Sequence, residues 1–139
     1  MKYWRVIRYW IKAKYKIGTP DIDMLLFLYS EQIFNKTRFK EFEEVMSWDT
    51  ARFNILLKKG WIHVWRKRVG KHTTLYELSY KGKRLVDTIY KKLEGEEIGE
   101  SPNINPLFRH DASYMDKVYR NMIIEMNKFI RQQRHLAQR

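Results

Sequence analysis

The sequence predicts a mainly α chain that carries one small β-hairpin, an α+β fold. Two observations lead to this class. Apolar residues recur at three- and four-residue spacing along most of the 139 residues, the period of a helix with one buried face. The exception is the stretch from Trp61 to Leu78. There, short runs of aromatic and β-branched residues flank the charged turn Arg66-Lys67-Arg68-Val69-Gly70-Lys71-His72, which is the pattern of a hairpin. The length suits one core with some peripheral helix.

Residues 2–17 read as the first helix. Tyr3, Val6, Ile7, Trp10, Ala13, Lys14 and Ile17 share a face that Trp4 and Ile11 widen, and Gly18 is a stop. Three roles are open to this helix: a core element, a dimer element, or a helix on a membrane surface, since basic residues interleave with Trp and Tyr. Its wide apolar arc favours burial against protein. Thr19 fits an N-cap, with Pro20 at the first helical position and Asp21 and Asp23 in the first turn. That second helix should reach Glu31, with Ile22, Leu25, Leu26, Leu28 and Tyr29 inward. Gln32-Ile33-Phe34 suits a short strand against the hairpin.

Asn35 or Thr37 can cap a third helix to Met46, with Phe39, Phe42, Val45 and Met46 facing inward. Ser47, or Trp48-Asp49, makes the turn into a fourth helix ending at Lys59 and stopped by Gly60. Asp49 can cap it, and Phe53, Leu56 and Leu57 would be buried. Residues 35–59 therefore form a helix-turn-helix. In the hairpin that follows, Gly70 is free to take positive φ. Ser79 is a natural N-cap for a helix from Tyr80 to about Leu93. Residues 94–112 change character: Glu94, Glu96, Glu97 and Glu100 mingle with Gly95, Gly99, Pro102 and Pro106, which suggests a linker or extended arm. A last helix begins at Ser113. Its stripe of Met115, Val118, Tyr119, Met122, Ile123, Met126, Phe129 and Ile130 is too long to stay solvated on a monomer. Residues 131–139 are basic and polar and are expected to fray.

Two blocks of this sequence resemble the winged-helix domain of MarR-type and PadR-type transcriptional regulators. One is Leu56-Leu57-Lys58-Lys59-Gly60-Trp61-Ile62, a recognition-helix end running into a wing strand. The other is Tyr76-Glu77-Leu78-Ser79-Tyr80-Lys81-Gly82, which fits the Leu-Thr/Ser-x-x-Gly pattern at the junction of wing and helix. The resemblance implies a winged helix-turn-helix flanked by N- and C-terminal helices. Its parts would be a packing or dimer helix (1–18), the winged-helix domain (19–93), the acidic linker (94–112) and a C-terminal amphipathic helix (113–139). In that family the first and last helices join two copies. The corresponding oligomer interface here is Tyr3, Ile7, Trp10, Met115, Tyr119, Met122, Met126 and Phe129.

Charge supports a polyanionic partner. The formal net charge is +12. Residues 1–18 and 58–72 hold clusters of Lys and Arg without one acid, while 19–57 is net acidic. On the wing, Arg66, Lys67, Arg68, Lys71 and His72 are placed to meet phosphate. On the recognition-like helix, Thr50, Arg52, Asn54 and Lys58 are of the types that read bases or hold phosphate, whereas Asp49 has the wrong sign for it. The wing also lacks the acidic-and-arginine pattern common in MarR-type wings. The expected partners are duplex DNA and a second copy, with no membrane and no cofactor.

Catalysis is not expected. The four histidines, His63, His72, His110 and His135, lack ligand spacing to one another, and there is no cysteine. Gly70 and Gly82 form no phosphate loop, and no serine sits in a nucleophile motif. His110-Asp111 suits a local turn. No secretory leader is expected, because charge interrupts residues 1–17, and the longest apolar run, Met24 to Tyr29, is too short to span a bilayer. A cytoplasmic protein is expected.

A second function class stays open: a structural or adaptor protein of a viral or other large assembly, virion-associated in that case. The recognition-like helix is poor in base readers. Aromatic content is 15% and the terminal helices are strongly apolar. Trp48 and Phe53 would then be its protein anchors.

Overall fold

The computed structural model describes residues 3–46 and 50–138, without the side chains of residues 45, 46 and 50. The expected turn at Ser47, Trp48 and Asp49, the inward facing of Val45 and Met46, and the Thr50 side chain lie outside the described residues. Within them are six α-helices: α1 (Trp4–Tyr15), α2 (Thr19–Glu31), α3 (Lys36–Met46), α4 (Thr50–Lys58), α5 (Tyr80–Leu93) and α6 (Tyr114–Ala137). Three strands, β1 (Ile33–Phe34), β2 (Ile62–Arg66) and β3 (Leu75–Leu78), form one antiparallel sheet in the order β1-β3-β2. The fold is thus mainly helical with a small β wing, the α+β class expected.

The chain divides into two compact units, residues 18–87 and residues 1–17 with 88–139; the division falls within α5. The 18–87 unit is built around Phe53 of α4. Its ring lies 4.9 Å from Phe39 of α3 and 4.9 Å from Tyr76 of β3, both edge-on, and 6.3 Å from Phe34 of β1. Edge-to-face packing suits the quadrupoles of these rings and sets the rotation of α4 about its axis. Phe53 is 2% exposed, so it is a core residue and not a surface anchor for a partner. β1, the short strand expected against the hairpin, pairs with β3 through Ile33 opposite Glu77 and Phe34 opposite Tyr76.

Caps decide several helix starts. Asn35 Oδ1 accepts the amide of Arg38 at 2.7 Å at the start of α3. Ser79 Oγ accepts the amide of Gly82 at 3.1 Å at the start of α5. Two ends differ from expectation. Gly18, in extended conformation, is the N-cap of α2, and Thr19 already lies inside the helix without a capping side-chain bond. Lys16, at φ 53°, and not Gly18, takes the left-handed position after α1.

In the other unit, residues 94–112 do not form a free linker. Ile98 and Leu107 are fully buried. Asn127 of α6, 1% exposed, binds the Ile98 backbone on both sides: Nδ2 donates to the carbonyl at 2.7 Å, and Oδ1 accepts the amide at 3.1 Å. A buried amide and carbonyl each need a partner, and one Asn side chain supplies both. Asn105 makes a similar local tie, donating to Gly99 O at 2.8 Å and accepting from Leu107 N at 3.0 Å before the 3-10 turn Pro106–Phe108. Glu97 pairs with Arg131 and Arg134. α6 is capped by Ser113, whose hydroxyl accepts from Asp116 N, and it runs to Ala137, beyond the point where fraying was expected. Tyr9 of α1 stacks on Tyr119 of α6 at 3.8 Å with the rings nearly parallel, and donates to Asp116 Oδ1 at 2.7 Å.

Candidate functional site

The hairpin is held at its base by close packing between β2, the end of α4 and the start of α5. Gly82 sits so near the Trp61 carbonyl that a Cβ there would lie 2.5 Å from the oxygen. Only glycine admits that approach. Ser79 adds three ties: its amide donates to Trp61 O at 3.0 Å, its hydroxyl to Gly60 O at 2.6 Å, and its oxygen accepts from Gly82. Lys81 lies 3.9 Å over the Trp61 ring and donates to Lys59 O at 3.1 Å. The Leu78-Ser79-x-x-Gly82 pattern is therefore a fastening that fixes hairpin to helix.

Across the strands, His63 Nε2 lies 2.8 Å from Glu77 Oε1, and Lys83 Nζ lies 3.2 Å from Glu77 Oε2. The hydrogen bond from His63, with Lys83 assisting, holds the Glu77 carboxyl below the usual carboxylate range. This trio neutralises the base of the hairpin. The tip is different. It closes by reciprocal backbone bonds of 3.1 and 2.9 Å between Val69 and His72, with Gly70 at φ 57°. Arg66, Lys67, Arg68, Lys71 and His72 are all exposed. Among the described residues none of them forms an ion pair; Arg68 only donates to Gly70 O at 3.3 Å. Arg38, Lys92, Arg131 and Arg134 elsewhere each have a carboxylate partner. The tip thus carries uncompensated positive charge on a ribbon with no room to bury it.

On α4, Asn54 and Lys58 are exposed, as is Ala51. Arg52, with its side chain 39% exposed, turns one guanidinium nitrogen to its own unit. Its Nη1 lies 3.5 Å from Oδ2 of Asp21, whose side chain is 7% exposed. Asp21 lies in the first turn of α2, as expected, and is also a buried counterion for Arg52. The side chain of Thr50 is outside the described residues. Beside Asn54, a hollow of about 140 Å³ is lined by Lys36, Lys40 and the acid Glu43 of α3. These two cations were not singled out from the sequence. Their spacing of one helical turn was the available signal.

The expected oligomer residues separate into two groups. Ile7, Trp10 and Met126 are buried inside their own unit and are not available to a partner, because α1 and α6 bury their apolar sides on each other. Tyr119 is occupied by its stack on Tyr9, and the Tyr3 ring leans towards Phe129 at 6.2 Å. Met115, Met122 and Phe129 remain exposed, and Leu136 joins them. These four recur every seven residues, one stripe along a helix.

Among the described residues no group of three His, Asp or Glu is placed to hold a metal ion, and no helix is long and apolar enough to cross a membrane. His110 and Asp111 are exposed. No protein-family model, curated protein or solved structure matches this chain.

Proposed function

We propose that this chain is a non-enzymatic DNA-binding protein, a winged helix-turn-helix regulator of transcription that acts as a dimer in the cytoplasm. One observation carries the proposal: the exposed cations Arg66, Lys67, Arg68 and Lys71, without ion-pair partners among the described residues, on a hairpin fastened at its base to the start of α5. A phosphate backbone is the partner that compensates such a tip, with release of condensed counterions as the driving term. In this reading the hairpin lies along the backbone and α4 faces the major groove. Asn54 and Lys58, with Thr50, meet the base edges, Lys36 and Lys40 add phosphate contacts, and Arg52 positions α4 through Asp21. No cofactor takes part. The seven-residue stripe of Met115, Met122, Phe129 and Leu136 seats a second copy. A groove of about 660 Å³ beside Met122 and Phe129, lined also by Tyr3 and Val6, receives the partner's side chains.

The test is a fluorescence-anisotropy titration of the full chain with a random-sequence duplex at rising salt. Binding at low salt that weakens linearly on a log–log plot is expected; no binding at low salt would refute the proposal.

A second reading, an adaptor in a viral or other large assembly, is favoured by the same exposed stripe on α6, which can seat a different protein as well as a second copy.

A further inference from the structure

Trp65 is out of place on a soluble hairpin. It is 49% exposed, and its indole makes no aromatic, cation–π or hydrogen-bond contact among the described residues. The β2–β3 register explains its freedom. Val64 pairs with Tyr76 and Arg66 with Leu75, so Trp65 is the extra residue of a bulge with no partner across the ladder. Bulges re-aim a side chain, here one with a large π-face. Trp65 immediately precedes Arg66-Lys67-Arg68, the uncompensated cations of the tip.

A free indole beside several cations matches a nucleobase beside its own phosphates. Base–aromatic stacking works for any base, but it needs a base whose face is open. Inside a duplex both faces are covered by neighbouring pairs, and a gap or an overhang offers an unpaired base with an open face. We infer that Trp65 stacks on an unpaired base, so that the hairpin prefers DNA in which duplex adjoins single strand. This inference rests on the DNA-binding reading and narrows its ligand. The cations hold the backbone, and the indole stacks on the first unpaired base.

The experiment compares three DNAs of equal phosphate number: a blunt duplex, a duplex with a short overhang, and the single strand. 2-Aminopurine is placed at the first unpaired position. The wild-type chain is expected to bind the overhang duplex about tenfold tighter than the blunt one, with a change in 2-aminopurine emission that reports stacking. Trp65→Ala should lose that preference and the emission change, yet keep its affinity for the blunt duplex. Trp65→Phe should restore part of both, and Trp65→Leu, which keeps bulk without a π-face, should restore neither. Melting of each variant confirms folding, and the exposed position makes a large loss of stability unexpected. Equal wild-type affinity for blunt and overhang duplexes would overturn the inference while leaving the DNA-binding reading intact. A preference retained in Trp65→Ala or Trp65→Leu would do the same. Failure to bind any of the three DNAs would overturn both. Trp65-dependent binding to phosphatidylcholine–phosphatidylserine vesicles without an overhang preference would overturn the inference alone, since Trp beside cations also suits a lipid interface.

Discussion

The Arg52 guanidinium stands 3.5 Å from the buried carboxylate of Asp21, which ties α4 to the first turn of α2. An arginine whose fork is turned to its own protein is a poor reader of bases, however well its type and position suit the task. It is instead a support for the helix that carries Asn54 and Lys58.

Arg52→Ala is therefore expected to act on stability. Removing the guanidinium leaves Asp21 buried without its counterion, at a cost of about 1–2 kcal/mol, reduced from the fully buried case by the partial exposure of Arg52. Urea unfolding measures it. In the double variant Arg52→Ala/Asp21→Asn the losses should not add, because the uncompensated charge is gone. Unchanged stability in Arg52→Ala together with a lost preference for one DNA sequence would show that Arg52 reads bases after all.

Gly82→Ala tests the fastening of hairpin to α5. Alanine suits helices, so propensity alone predicts a gain. A Cβ 2.5 Å from the Trp61 oxygen predicts a loss instead, of about 2 kcal/mol or more, since backbone must move. A midpoint in urea at or above that of the wild type would contradict the close approach.

Much of the fold was legible because its signals are local. Helical periods, the hairpin runs about a charged turn, and the caps Asn35 and Ser79 each depend on residues within a few positions. The rest depends on distant pairs. Nothing near Glu94 announces that Asn127 will hold the Ile98 backbone, so composition alone read a linker there. Nothing near Arg52 announces Asp21. For the candidate site, the basic tip was visible in the sequence as a charge run. The bulge at Trp65 and the cations of α3 beside Asn54 required the register and the packing.

Alkaline pH probes the joining of α1 and α6. The hydrogen bond to Asp116, with burial, raises the Tyr9 phenol from 10.0 to about 12. A folded-state pKa above the unfolded value means that the contribution is fully present below pH 10 and is lost as pH rises through about 12. Stability of the wild type should fall more steeply than that of Tyr9→Phe across this window. At neutral pH the variant should be less stable by about 1 kcal/mol, the worth of one hydrogen bond. Parallel pH profiles for the two proteins would contradict the Tyr9–Asp116 bond.

The stripe on α6 predicts association. Met122→Lys/Phe129→Lys should give a monomer by sedimentation equilibrium and keep the helical circular-dichroism spectrum, because both positions are exposed in a single chain. A wild-type chain that sediments as a monomer at micromolar concentration would remove the dimer from the account.

The central claim is that the hairpin tip meets phosphate, and the salt dependence of duplex binding tests it most directly. The variant Arg66→Ala/Lys67→Ala/Arg68→Ala/Lys71→Ala removes cations that have no ion-pair partner among the described residues, so the fold should persist. Its log–log salt slope should be shallower than that of the wild type by about 0.9 for each phosphate that the tip no longer neutralises. A folded quadruple variant that binds duplex DNA with an unchanged slope would contradict the claim.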